Sequence, residues 1–138
     1  MQVIQSKADT LHFDFSSEKS IYLQLAEKLE LLIVAGVYEP GEKLPPVREI
    51  ARETKINPNT VQKSLGLLED KKLIATDRTN GKYVTTNLEL LTSIRLTLAE
   101  QYTAAFLSKM KAIGLSKAET LSLLKETSAN LKGASNEE

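Results

Sequence analysis

The pair Asn57-Pro58 constrains this chain more than any other feature, because a helix has to start there and its predecessor has to have ended. Asn is a strong N-cap residue, and Pro is tolerated at the first helical position, where its missing N–H has no intrahelical partner to lose. Before the pair, Val47, Ile50 and Ala51 recur at helical spacing. They predict a short helix with Pro46 in its first turn, ending near Thr54, and Lys55-Ile56 as the connector. After the pair, Val61, Leu65 and Leu68 form the apolar side of a helix running to about Asp70, flanked by Leu67. Two short helices separated by so few residues make a helix-turn-helix.

The flanks extend this reading. Ile21, Leu25, Leu29, Leu32 and Ile33 predict an amphipathic helix over residues 21–36, with Ser20 as N-cap and Gly36 as the stop. Tyr38-Glu39-Pro40-Gly41 follows as a tight turn. Beyond residue 70 the period changes. Leu73–Thr76 and Lys82–Thr85 are β-prone, and Thr79-Asn80-Gly81 between them is a hairpin turn signal. A two-stranded hairpin is marginal alone, so it has to pack on the helices. The expected fold is mainly α: an N-terminal winged helix-turn-helix of three helices plus a β-hairpin wing, followed by two C-terminal helices.

Those two helices read clearly. Leu91, Ile94, Leu98, Tyr102, Ala105, Phe106 and Met110 trace one stripe, and Gly114 ends it as a left-handed cap. Ser116-Lys117-Ala118-Glu119 is a capping box opening the last helix, with Leu121, Leu124 and Leu131 on one side. Such a pair is expected to lie antiparallel, with apolar surface to spare and no room for a ligand cavity. The chain therefore divides into an N-terminal extension (1–17), a winged helix-turn-helix (18–87) and a helical dimerisation segment (88–138). In the extension, Leu11-His12-Phe13-Asp14-Phe15 alternates like a short strand, and the lone His12 reads as a solvated or packing residue.

Composition removes most chemistry. The chain has no Cys and one His, which leaves no thiolate chemistry and no His-rich metal site. Its six Gly form no phosphate-cradling loop, and Glu residues such as Glu27 and Glu30 sit at solvent-facing helical spacing. No enzyme, cofactor or metal is expected. No apolar run approaches the ~20 residues that span a bilayer. With no basic-then-apolar leader pattern either, the expected setting is the cytoplasm, away from any membrane.

What remains is binding. In a helix-turn-helix the second helix enters the major groove by its N-terminal end. Here that end presents Asn57, Asn59, Thr60, Gln62 and Lys63. Asn and Gln can pair bidentately with adenine, and Thr reaches a phosphate or a thymine methyl. Arg48, one turn into the preceding helix, faces the same side and can read guanine or clamp a phosphate. Arg78, Asn80 and Lys82 form a polar wing tip that can reach the backbone or minor groove.

Against this, Asn57 and Pro58 serve simply to start a helix. The net charge is also zero, with 11 basic and 10 acidic residues over 18–87 and six of each over 88–138. Neutrality favours the alternative, a winged-helix protein-interaction module that does not read DNA. A two-fold dimer answers the charge problem by doubling the phosphate contacts at half-sites one helical turn apart. The stripe of Leu91, Ile94, Leu98, Tyr102, Phe106 and Met110 is the expected dimer surface, unless it packs on the chain's own last helix.

Several spaced motifs over residues 18–86 resemble the GntR-type winged helix-turn-helix repressors. They are Ile21–Leu25, Gly36–Pro45 with its Glu39-Pro40-Gly41, Val47–Ala51, Asn57-Pro58-Asn59-Thr60-Val61 and Gly81-Lys82-Tyr83-Val84. The Asn-Pro-Asn-Thr-Val run and the two-helix tail resemble the YtrA-type subfamily, small bacterial repressors that often act on transporter operons. The resemblance implies that Arg48 and the start of the third helix contact double-stranded operator DNA and that the wing, Gly81 included, touches the backbone or minor groove. It further implies a homodimer formed through the C-terminal helices. Larger relatives append an effector-binding domain, which the fifty or so residues after the wing cannot form, so any small-molecule effector is unknown. The chain departs from relatives at Pro58 and Gln62, where many carry Arg, and at Asn80, where Arg is common at the wing tip. Lys72 stands where relatives usually carry Gly; a left-handed backbone there costs on the order of 1 kcal/mol.

Overall fold

The computed structural model describes residues 20–135, in the order α1 (Ile21–Val34), α2 (Val47–Thr54), α3 (Pro58–Asp70), β1 (Ile74–Thr76), β2 (Lys82–Val84), α4 (Leu88–Ala112) and α5 (Lys117–Ser135). The expected Leu11–Phe15 strand, His12 and the 1–17 extension lie outside the described residues. The chain forms two compact units that divide between Arg95 and Leu96, so the first two turns of α4 belong with the winged helix, beyond the 87/88 boundary expected from sequence.

In the first unit the apolar periodicity becomes burial. Leu25, Leu29, Leu32 and Ile33 of α1, Ile50 of α2, and Val61, Leu65 and Leu68 of α3 are all buried. Side chains of this size gain about 1.5–3 kcal/mol each on full burial. Ile21 departs from the expectation: it is 46% exposed, because it lies in the first turn of α1, outside the packed stripe. Ser20 occupies the N-cap position, yet its hydroxyl makes no capping bond; only its carbonyl is used, by Gln24 N–H at 3.2 Å. Gly36 ends α1 in the left-handed region (φ +84°).

Two side-chain hydrogen bonds fasten α1 to α3 and its C-cap. The buried Ser64 hydroxyl donates to the Tyr22 carbonyl at 2.7 Å, and Lys71 Nζ meets Glu30 Oε1 at 2.8 Å. Pro46 sits at the N-cap of α2, just ahead of the first turn where it was expected, and its carbonyl accepts from Glu49 and Ile50. The helix-turn-helix connector reverses through Lys55, left-handed at φ 60°, which turns Ile56 into the core.

The hairpin is antiparallel, with Ile74 opposite Val84 and Thr76 opposite Lys82. A further segment joins it. Lys43 bridges Tyr83, Leu44 N–H donates to the Lys82 carbonyl at 2.8 Å, and Glu42 and Gly41 pair with Val84. Residues 38–41 show only a turn signal in the sequence, and this third run is invisible there because a one-residue bridge has no period. Lys72 is left-handed at φ 67°, so the cost of a non-glycine residue in that region applies here.

The second unit is built differently. The capping box forms reciprocally: Ser116 N–H donates to Glu119 Oε1 at 2.8 Å and Glu119 N–H to Ser116 Oγ at 3.1 Å. Gly114 is left-handed at φ +92°. Yet every described side chain of α5 except Thr120 is exposed, and from Leu96 to Ala112 only Leu98 and Met110 are half-buried. The expected antiparallel pair therefore does not bury its apolar sides, since α4 and α5 leave Tyr102, Ile113, Leu121 and Leu131 in solvent.

Candidate nucleic-acid interface

The N-terminus of α3 is set by Asn57, whose Oδ1 accepts the Asn59 N–H at 2.8 Å, with Pro58 in the first turn. That cap consumes one oxygen and leaves the Asn57 amide NH2 outward. Asn57, Asn59 and Gln62 are exposed and Thr60 is half-buried. Arg48, the second residue of α2, is exposed as well.

The wing tip is a three-residue loop, 78–80, closed by Asp77 N–H donating to the Gly81 carbonyl at 3.0 Å. Asp77 organises it. One carboxylate oxygen accepts from Thr79 N–H at 2.9 Å, the Thr79 hydroxyl at 2.6 Å and Gly81 N–H at 3.3 Å. These bonds, the Thr79 hydroxyl foremost, hold the Asp77 carboxyl below its ordinary value. The left-handed residue of the turn is Asn80 (φ 65°), a side chain that tolerates this region well. At Gly81 the constraint is space instead: a Cβ there would come within 2.9 Å of Lys43 Cε and 3.1 Å of the Tyr83 ring, so the lysine end would have to swing aside and the ring to give slightly.

Helix and wing meet. Gln62, Pro45, Pro46 and Val47 on one side, and Thr79, Asn80 and Gly81 on the other, line a cleft of about 490 Å³ floored in part by Lys43. Lys43 is a basic residue on this face that sequence reading missed; only its pairing with Tyr83 brings it there.

Two expected contacts are otherwise engaged. The Lys63 ammonium lies 3.9 Å from the centroid of the Tyr22 ring, a cation–π contact directed at α1. The Lys82 ammonium donates to Thr76 Oγ1 at 2.7 Å and to Glu69 Oε2 at 3.3 Å, so its charge is neutralised within the protein. Arg78, Asn80 and Gly81 remain at the tip.

The expected dimer residues also divide. Leu91 is 3% exposed and belongs to the first unit, where it is core and not free surface. Ile94, Leu98 and Met110 are half-buried, while Tyr102 and Phe106 are exposed.

An exposed helix N-terminus, presented by a helix-turn-helix beside a β-hairpin wing, defines a winged-helix DNA-binding protein. The comparisons agree. Residues 21–84 match the family described as bacterial regulatory proteins, gntR family. The chain is 36% identical over 111 residues to the HTH-type transcriptional regulator YhcF of Bacillus subtilis, covering 80% of this chain and 92% of the relative. It is 32% identical over 124 residues to the HTH-type transcriptional repressor YtrA of the same organism, covering 89% of this chain and 95% of YtrA. Among solved structures, a GntR family transcriptional regulator from Listeria monocytogenes superposes with a TM-score of 0.74 at 35% identity, over 81% of this chain and 98% of that one. The chain belongs to the GntR family, among its YtrA-type members. It is a DNA-binding transcriptional regulator and not an enzyme, as its relatives are regulators.

Proposed function

We propose that this regulator is a cytoplasmic homodimeric repressor of a small operon, such as a transporter operon. It grips operator DNA with Arg48, Asn57, Asn59, Thr60 and Gln62 in the major groove and with Arg78, Asn80 and Gly81 at the wing. The observation that carries the dimer is the tail. Its helices carry formed caps at Gly114 and at Ser116–Glu119, yet the tail leaves Tyr102, Phe106, Leu107, Ile113, Leu121 and Leu124 exposed, more apolar surface than a self-sufficient unit presents. A second copy covers that surface and supplies the second recognition helix that a neutral chain needs. The repressor role is supported by the near end-to-end similarity to YtrA, which is named a repressor. The cytoplasmic setting follows from its DNA target, and no helix among the described residues is long and apolar enough to cross a membrane.

The test is a titration of purified protein onto duplex DNA from upstream of its own gene, against scrambled duplex, at two salt concentrations. Two chains per site, with affinity falling steeply as salt rises, is the expected result. Folded protein with no preference for that DNA over scrambled duplex at either salt concentration would count against the proposal.

A further inference from the structure

Glu69 lies in the last turn of α3, away from the helix end proposed to meet DNA. Its Oε2 accepts from the Thr76 hydroxyl at the end of β1 and from Lys82 Nζ, 3.3 Å away, at the start of β2. Lys82 Nζ also donates to Thr76 Oγ1 at 2.7 Å, so each of the three groups touches the other two. Thr76 and Lys82 are the paired residues at the base of the wing loop. The hairpin itself has only three paired positions, and the Gly41–Leu44 run that joins it pairs with β2 alone, so at β1 the Thr76–Glu69 bond is a link to α3 that this backbone pairing does not supply. Lys82 keeps 19% of its side-chain exposure, whereas Arg78 in the loop is exposed.

We infer that Glu69 is a positioning residue for DNA recognition: through Thr76 and Lys82 it clamps the base of the wing to the end of α3, so that helix and wing tip reach the DNA as one face. The inference rests on the proposal that both α3 and the wing meet DNA. It gives Lys82 an internal role in place of a phosphate contact. It also gives an acidic residue a favourable role in binding a polyanion, against the sign that charge alone dictates. The lowered carboxyl of Glu69, held down mainly by the Thr76 hydroxyl, agrees with a carboxylate that stays ionised at neutral pH.

The experiment uses the full chain and the same upstream duplex, with Glu69→Gln, Thr76→Val and Lys82→Gln. Glu69→Gln is expected to lower affinity roughly three- to tenfold although it removes a negative charge, the effect of losing one or two hydrogen bonds that set the wing. Thr76→Val changes no charge and is expected to do the same, which keeps the proposal testable if Glu69→Gln folds poorly. Lys82→Gln is expected to weaken binding while leaving the slope of log affinity against log salt at the wild-type value. Binding by Glu69→Gln as tight as wild type or tighter, or a slope lower by about one in Lys82→Gln, overturns the positioning role.

The cluster is checked without DNA by ammonium proton exchange in an NMR spectrum. Slow exchange at Lys82 relative to the exposed Lys55 supports the cluster, and equal exchange overturns it. Wild-type protein with no preference for the upstream duplex removes the DNA-face proposal and the positioning role with it, and slow exchange at Lys82 in that protein marks the fault as the target and not the cluster.

Discussion

The winged-helix unit and the tail are made from the same ingredients and end in opposite states. Both contain helices with apolar residues at three- and four-residue steps, and both carry well-formed caps at Asn57 and at Ser116–Glu119. In the first unit Leu25, Leu29, Ile50, Val61 and Leu68 are fully buried; in the second Ile113, Leu121 and Leu131 stand mostly in solvent. Local signals decide where a helix starts and stops, but most of its stability in a protein comes from the face it buries. The first unit finds that face within the chain. The tail, in the reading proposed above, finds it in a second copy.

Deleting the same atoms from each half should therefore have unequal effects. Leu65→Ala is expected to lower unfolding free energy by about 2–5 kcal/mol in a urea titration. Leu121→Ala at low protein concentration should change it by less than about 0.5 kcal/mol, as an exposed substitution does. Equal losses would break the contrast. Leu98→Asp places a carboxylate on the half-buried stripe of α4 and should weaken the dimer a hundredfold or more, to about the extent that burying an unpaired polar group costs. Sedimentation velocity reads this directly, and a variant that stays dimeric would put the interface elsewhere.

Smaller effects sharpen the picture within the first unit. Arg48→Ala should cost about 1–3 kcal/mol in operator affinity and relax specificity if the guanidinium reads a base. Unchanged affinity on competition with mismatched duplexes would remove Arg48 from the face. Lys72→Gly relieves a left-handed lysine at φ 67° and should gain about 1 kcal/mol, a few degrees in Tm. A lower melting temperature would mean that the glycine's extra freedom in the unfolded chain outweighs the relief.

Acid should produce the smallest change, and in both halves. Glu69 at the end of α3, Asp77 in the wing and Glu119 in the tail are all held below their ordinary values, respectively by the Thr76 hydroxyl, the Thr79 hydroxyl and the Ser116 N–H. A carboxyl lowered in the folded state contributes stability that is complete above its ordinary pKa and lost as pH falls through the lowered one. Urea midpoints should thus decline modestly only below pH ~4.5. Glu69→Gln should flatten the share that comes from the contact between α3 and the hairpin, and a decline unaltered by that variant would place the acid sensitivity elsewhere.

Much of the first unit was legible because its determinants are local. The Asn57-Pro58 start, the buried faces of α1 and α3 and the stop at Gly36 each depend on residues within a few positions of one another. What stays hidden in the sequence shares a cause too. The pairing of Lys43 with Tyr83 spans forty residues, and the partner of Lys82 is an acid thirteen positions away on another element. Neither leaves a periodic trace, so the sequence alone shows neither Lys43 beside Tyr83 nor Lys82 bonded to Glu69. Thr79-Asn80-Gly81 does mark the hairpin turn, but the left-handed residue is Asn80 and the organiser is Asp77, just outside that run, whose three bonds exist only once the loop has closed. In the tail the caps were legible and the packing was not, because a stripe of apolar residues does not say whose surface will cover it.

The end of α1 carries one last consequence, for anyone who trims the protein. The Val34 carbonyl, in the last turn of that helix, receives both Nε and Nη2 of Arg95, at 3.0 and 2.7 Å. Leu91, one turn earlier along α4, is buried with the first unit. A DNA-binding fragment cut at residue 87, where the motifs stop, discards both: it uncovers a core side chain and leaves a helix terminus without its guanidinium. A fragment cut after Arg95 keeps them, so the winged-helix half of this regulator extends two helical turns into what looks, from the motifs alone, like its tail.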